Sequence, residues 1–115
     1  MKVLVVLKIS KLEVLREKSA AGLENLRRDD PDTYAELSRS HAVQTSSDEA
    51  VVTQLEGAGA SVEVVRRDRF ETVPADAALV VAVGGDGTVL DISHRVISCP
   101  LLGINSDPER SVGYF

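Results

Sequence analysis

The sequence predicts an α/β fold, a mostly parallel sheet with helices on both faces, in one domain spanning residues 1–115. Three observations lead there. The runs Val3 to Leu7, Ala77 to Val83 and Leu101 to Ile104 are continuously apolar, not alternating, as strands buried on both faces are. Segments with helical spacing separate most of these runs, as parallel crossovers require. The most apolar run stops at Gly84-Gly85-Asp86-Gly87-Thr88, and an apolar-periodic segment follows, the pattern of a strand, a tight turn and a helix N-terminus.

Each element follows from local chemistry. Val3 to Leu7 is the first strand. Ser10 and Glu13 have capping-box spacing, and Leu12, Leu15, Leu23 and Leu26 predict a first helix running to about Asp29. Asp30-Pro31 reads as an N-cap and first helical position, opening a short polar helix through Tyr34 and Leu37. His41 to Thr45 has no period and is expected to be a surface connection. Ser46 with Glu49 is a second capping-box pair, and Val51, Leu55 and Ala58 share the face of a helix that Gly57 and Gly59 stop. Ser61 to Val65 is the second strand, with Arg66-Arg67-Asp68-Arg69 as its charged end and Phe70 to Asp76 as loop. Ala77 to Val83, the most apolar run, is expected at the centre of the sheet. Thr88 to Ile97 is a helix directing Val89, Ile92 (or Ser93) and Val96 at the sheet, and Pro100 precedes a fourth strand, Leu101 to Ile104. The order β-α-(α)-α-β-β-α-β resembles a mononucleotide-binding fold. The last strand has little chain after it to cover its edge, so the domain is expected to be truncated, with a partner domain beyond Phe115.

Composition limits the partners. A formal net charge of −5 disfavours nucleic-acid binding through a basic face. No run approaches the ~18 apolar residues of a membrane span, so no membrane partner is expected. The single Cys99 excludes an internal disulfide framework and fits a reducing compartment, for which the expectation is cytoplasmic.

The chemistry concentrates in the glycine turn. Gly84, Gly85 and Gly87 lack Cβ atoms, so backbone N–H groups can approach a phosphate closely. An Asp there repels a bare phosphate, but it suits a metal carried by the phosphate or the proton of an attacking hydroxyl. The bland alternative is that Asp86 merely caps the helix. Neither the dinucleotide fingerprint, which needs a third glycine, nor the Walker A ending Gly-Lys-Ser/Thr is present.

Gly84-Gly85-Asp86-Gly87-Thr88 after an apolar strand resembles the signature of NAD kinases, shared with diacylglycerol and sphingosine lipid kinases and nearly with phosphofructokinases. Pro100-Leu101-Leu102-Gly103-Ile104-Asn105 and Ser106-Asp107-Pro108-Glu109-Arg110-Ser111-Val112-Gly113 narrow the resemblance. They are similar to the mitochondrial-type branch of NAD kinases and its bacterial relatives, as is Val64 to Phe70. The resemblance is clear from about Val51 to Phe115 and implies a Rossmann-like N-terminal domain. It further implies that Asp86 activates the adenosine-ribose 2′-hydroxyl of NAD for attack on ATP, with Mg²⁺ carried on the triphosphate and no metal site of the protein's own. Gly84, Gly85, Gly87 and Thr88 would line the phosphates, Asn105 would stand beside the nucleotide cleft, and Phe115 with Tyr114 would lie near the dinucleotide. The family's second, β-rich domain, with its Asn-Asp/Glu motif and most NAD contacts, is absent from these residues, so the chain alone is expected to be inactive. A homodimer or larger assembly is implied. Lipid or sugar phosphorylation, and a non-catalytic nucleotide-binding or assembly module, are the alternatives.

Other residues divide between solvated and functional readings. Arg66, Arg67 and Arg69 either reach ATP phosphates or form a solvated strand end. Asp107 and Arg110 either pair to shape the turn after the last strand or touch substrate, while His41 and His94 suit a solvated or core-edge role and Cys99 a small buried hydrophobe.

Overall fold

The structure, a computed structural model, describes residues 1–95 and 99–106. Its four strands are β1 (Lys2–Leu7), β2 (Ser61–Arg66), β3 (Ala77–Gly84) and β4 (Leu101–Asn105). They form one sheet in the order β2-β1-β3-β4, with every pairing parallel. The order explains the composition. β1 and β3 lie inside the sheet, and Val3, Val5, Val6 and Val80 through Val83 are completely buried. The edge strands carry the polar and half-exposed residues, among them Glu63, Val64 and Leu102. The central position expected for Ala77 to Val83 is therefore the observed one.

The sheet separates two apolar clusters. On one face Leu4, Val6, Val80 and Ala82 pack with Phe70 and with Ile92 of α4 (Asp86–Ser93). On the other, Val3, Val5, Val81 and Val83 pack beneath Val51 and Leu55 of α3 (Pro31–Gly57). The α/β class with helices on both faces is thus the architecture of this chain.

The helices depart from the sequence reading in two places. The first predicted helix is two, α1 (Lys11–Lys18) and α2 (Ala20–Asp29). Ser19 separates them in extended backbone, its N–H donating to the Leu15 carbonyl and its hydroxyl accepting from Gly22 N–H at 3.0 Å. A serine side chain competes for backbone hydrogen bonds, and here it ends one helix and caps the next. By contrast, the break expected at His41 to Thr45 does not occur. α3 runs for 27 residues from Pro31, with Asp30 as the predicted cap, its carboxylate accepting from Thr33 N–H at 3.3 Å. No Gly or Pro interrupts positions 32–56, and His41 and Gln44 find tertiary partners that their polarity alone could not reveal. Ser46 and Glu49 consequently lie inside a helix with no end for them to cap. Gly59 closes the element at φ +91°, a backbone conformation that favours glycine.

After β2, Arg67–Arg69 forms a single 3-10 turn. α4 begins at Asp86, two positions before the predicted start at Thr88. Ile92 and Val89 face the sheet as expected, while Val96 lies outside the described residues.

Candidate functional site

β3 ends at Gly84, and Gly85 is the N-cap of α4 in extended backbone, φ −104° and ψ −169°. Asp86 therefore stands at the first helical position, Gly87 at the second and Thr88 at the third. The cap position belongs to a glycine, so Asp86 is not the helix cap. The N–H groups of Thr88 and Val89 donate to the Gly85 carbonyl at 3.1 and 3.3 Å, closing the first turn. The Asp86 side chain lies outside what the structure describes.

The glycines of this turn serve different ends. A Cβ on Gly84 would stand 2.7 Å from Thr88 Oγ1, 2.9 Å from Thr88 Cβ and 3.1 Å from Lys8 Cβ. Those contacts are impossible without movement, and Thr88 is buried at 2 % exposure, so internal packing requires this glycine. A Cβ on Gly87 would meet nothing within 4 Å, and its backbone is not left-handed. Glycine inside a helix costs about 0.5–1 kcal/mol relative to alanine. Nothing within the described chain accounts for that cost, and its effect is to keep the helix N-terminus open to approach from outside.

The end of β4 joins the turn. Asn105 is in register with Gly84, and the N–H of the buried Ser106 donates to the Gly84 carbonyl at 3.1 Å. Ser47 of α3 donates to the Ser106 carbonyl at 3.0 Å, pinning this end from the opposite face. Gly84, Gly85, Gly87, Thr88 and Asn105 are thus gathered at the carboxyl edge of the two middle-to-edge strands β3 and β4, where open parallel sheets bind ligands. Phe115, Tyr114, Asp107 and Arg110 lie outside the described residues.

The three arginines separate cleanly. Arg67 turns toward the glycine turn, with Nη1 3.5 Å from Thr88 Oγ1 and Nε donating to Asp91 Oδ2 at 3.1 Å. Arg66 instead pairs with Glu17 at 2.8 Å and Asp68 at 3.2 Å. Hydrogen bonding from Arg66 holds the Glu17 carboxyl below its ordinary range. Arg69 lines a separate recess with Phe70 and Pro74.

Lys8 belongs to the same region and has no counterpart among the site residues predicted from sequence. Its N–H donates to the Val83 carbonyl at 3.0 Å, and its own carbonyl accepts from the buried Gln44 side chain. The only sequence signal was that Lys8 ends the first apolar run; that this run lies beside β3 is a fact of strand order. His41, expected to be solvated or at the edge of the core, is tied to Ser10 Oγ at 2.8 Å and stands 3.5 Å from Glu13. The capping-box pair Ser10 and Glu13 is present, with Glu13 N–H donating to Ser10 Oγ at 3.1 Å. Among the described residues no three His, Cys, Asp or Glu side chains gather to hold a metal, and no helix is long and apolar enough to cross a membrane.

A parallel sheet covered on both faces, with a glycine turn opening a helix at its carboxyl edge, defines a Rossmann-like α/β domain. The chain belongs to the ATP-NAD kinase N-terminal domain family, whose model matches residues 2–107. It is 39% identical over 87 residues to the human protein named NAD kinase 2, mitochondrial, covering 71% of this chain and 19% of that protein. The Xenopus tropicalis protein of the same name is 33% identical over 99 residues, covering 84% and 23%. An Arabidopsis thaliana NADH kinase is 51% identical over 37 residues, covering 31% of this chain and 12% of its own. The chain thus spans about a fifth of the length of the vertebrate relatives.

These names correct one expectation. Four vertebrate relatives are named as mitochondrial, which points to mitochondria and overturns the cytoplasmic reading. That reading rested on a lone, unpaired Cys99, which fits a reducing compartment without singling out the cytoplasm.

Proposed function

We propose that this chain supplies the phosphate-handling half of an enzyme that transfers the terminal phosphate of ATP to NAD, making NADP. The observation that carries the reading is the glycine turn in its setting: Gly84 packed into the fold, Gly87 open, and Asp86 at the first position of α4. Family membership and relatives named for NAD and NADH phosphorylation support the same acceptor class.

In this reading Asp86 is the general base. It takes the proton of the adenosine-ribose 2′-hydroxyl as that oxygen attacks the terminal phosphorus, and the bond to the bridging oxygen of ADP breaks. A positioned base contributes about 10²–10⁴-fold to such a step. Gly85 and Gly87 present backbone to the phosphates at the helix N-terminus, whose partial positive charge favours anions, and Gly84 and Thr88 line the turn beneath them. Asn105, in register with Gly84, borders the same cleft, and Phe115 serves the dinucleotide end. A Mg²⁺ carried on the triphosphate would neutralise its charge. Asp91, farther along α4, is already held by Arg67.

Most acceptor contacts come from a further, β-rich domain in this reading, and the 115 residues alone are expected to lack transfer activity. Enzymes of this kind work as dimers or larger assemblies in the same proposal. The test uses the natural full-length protein. Asp86→Asn should lower NAD phosphorylation by about 10²-fold or more without lowering the melting temperature. Full activity in that variant would remove Asp86 from its role. Transfer to diacylglycerol or a sugar in place of NAD would replace the acceptor, and absence of transfer with retained nucleotide binding would favour a non-catalytic module.

A further inference from the structure

A cleft of about 380 Å³ opens where the end of β1 meets α4 and the 3-10 turn. Its charged lining is Lys8, Arg67 and Arg95 against Asp68 and Asp91, with Ile9 as an apolar wall. In a chain of net charge −5 this is a local excess of positive charge. The carboxylates already have partners. Asp91 accepts from Arg67 at 3.1 Å and has Arg95 at 3.7 Å, while Asp68 pairs with Arg66 at 3.2 Å.

Lys8 is the exception, with no ion pair or side-chain hydrogen bond among the described residues. Its backbone is nevertheless fixed on both sides, by the Val83 carbonyl and by Gln44. Its Cβ lies against Gly84, so the lysine stem leaves the backbone directly beside the glycine turn. Arg67 spans the other side, held by Asp91 and reaching to Thr88. A fixed guanidinium and an unclaimed ammonium thus share one cleft next to an open helix N-terminus. Lysine offers a compact, adaptable charge and arginine a rigid fork, a pairing suited to the several oxygens of a phosphate chain.

We propose that Lys8 and Arg67 bind the linear phosphate chain of the phosphate donor in this cleft, with Lys8 as the principal binding charge. The proposal deepens the phosphate-transfer reading above and rests on it for the word donor. The shared chemistry is an oligophosphate, carried by a nucleoside triphosphate or by inorganic polyphosphate.

The natural full-length protein is titrated with ATP, with inorganic polyphosphate and with tripolyphosphate as a probe that cannot use nucleoside contacts. Lys8→Ala should raise the KM for either active donor about tenfold or more, the loss of one charge-assisted contact, and leave the KM for NAD within about twofold. Lys8→Arg should restore most of the affinity. Tripolyphosphate should raise the melting temperature of the wild type and lose that effect in Lys8→Ala. Donor KM within about twofold of wild type in a natively melting Lys8→Ala protein overturns the proposal, as does a rise confined to NAD. Should Lys8→Ala not fold, Lys8→Gln and the wild-type melting shift decide, and a wild type indifferent to tripolyphosphate overturns it. These binding readouts do not depend on the acceptor. A wild type that fails to phosphorylate NAD, yet binds tripolyphosphate through Lys8, defeats the proposed function and leaves this site standing.

Discussion

Two charged clusters sit at the strand ends, one toward α3 and one toward α4, and they treat polar groups in opposite ways. Toward α3 the groups satisfy one another. Ser10 bonds His41 at 2.8 Å, Gln44 bonds the Lys8 carbonyl, and Ser47 bonds the Ser106 carbonyl at 3.0 Å. Among the described residues only the Asp48 Oδ1 atom is buried there without a partner, and burial, followed by the nearby charges of Glu13 and Glu49, pushes its carboxyl up to about 7. Toward α4 the structure holds a cleft, a lysine without a partner among the described residues, and a glycine whose missing side chain would meet nothing. Polar groups that serve the fold are satisfied within it, whereas groups that serve a ligand are left with capacity to spare. The α3 cluster is a fastening, and the α4 cluster is the site proposed for the phosphates.

The comparison can be broken most severely at Gly84. Gly84→Ala must displace the buried Thr88, and overpacking of this kind should cost about 2 kcal/mol, read as a lowered melting temperature of the full-length protein. A native melting temperature would mean that the turn yields more easily than its contacts indicate.

A smaller effect tests the α3 side. The unfolded chain releases the Asp48 proton near 3.8, while the folded chain keeps it to about 7. The folded state therefore binds more protons across that window, and stability should fall as pH rises through it. Asp48→Asn should flatten this slope and add about 1 kcal/mol near pH 8, a modest gain because the group is only partly buried. An unchanged pH profile of thermal melting would mean that another group carries the titration.

The smallest stability change should come from Gly87. Gly87→Ala should gain about 0.5 kcal/mol from helix propensity, yet lower phosphate transfer about tenfold or more by filling the approach to the helix N-terminus. Loss of stability together with activity would place Gly87 with Gly84, as a residue of the fold.

Much of this arrangement was readable beforehand. The valine runs identified the buried strands, and the glycine-Asp-glycine turn pointed to the candidate site, because both depend on residues adjacent in sequence. The His41 to Thr45 segment misled because polarity without period resembles a loop. In the fold, His41 and Gln44 turn inward to partners more than 30 positions away. The three arginines looked equivalent for a similar reason, since a strand end followed by a tight turn sends neighbouring side chains in different directions. Arg66 meets Glu17, and Arg67 meets Asp91.

The sequence by itself determined the α/β class, the turn at Gly84 to Thr88 and the kinase family that the turn and the residues after Pro100 resemble. Periodicity, β-branching and glycine placement act over a few residues, so they survive in a one-dimensional reading. Only the tertiary structure decided which strands lie side by side, and with them which charges share a space. The order β2-β1-β3-β4 brings Lys8 beside Gly84 across most of the chain length. Proximity between distant positions is a property of the packed sheet, and no local pattern encodes it.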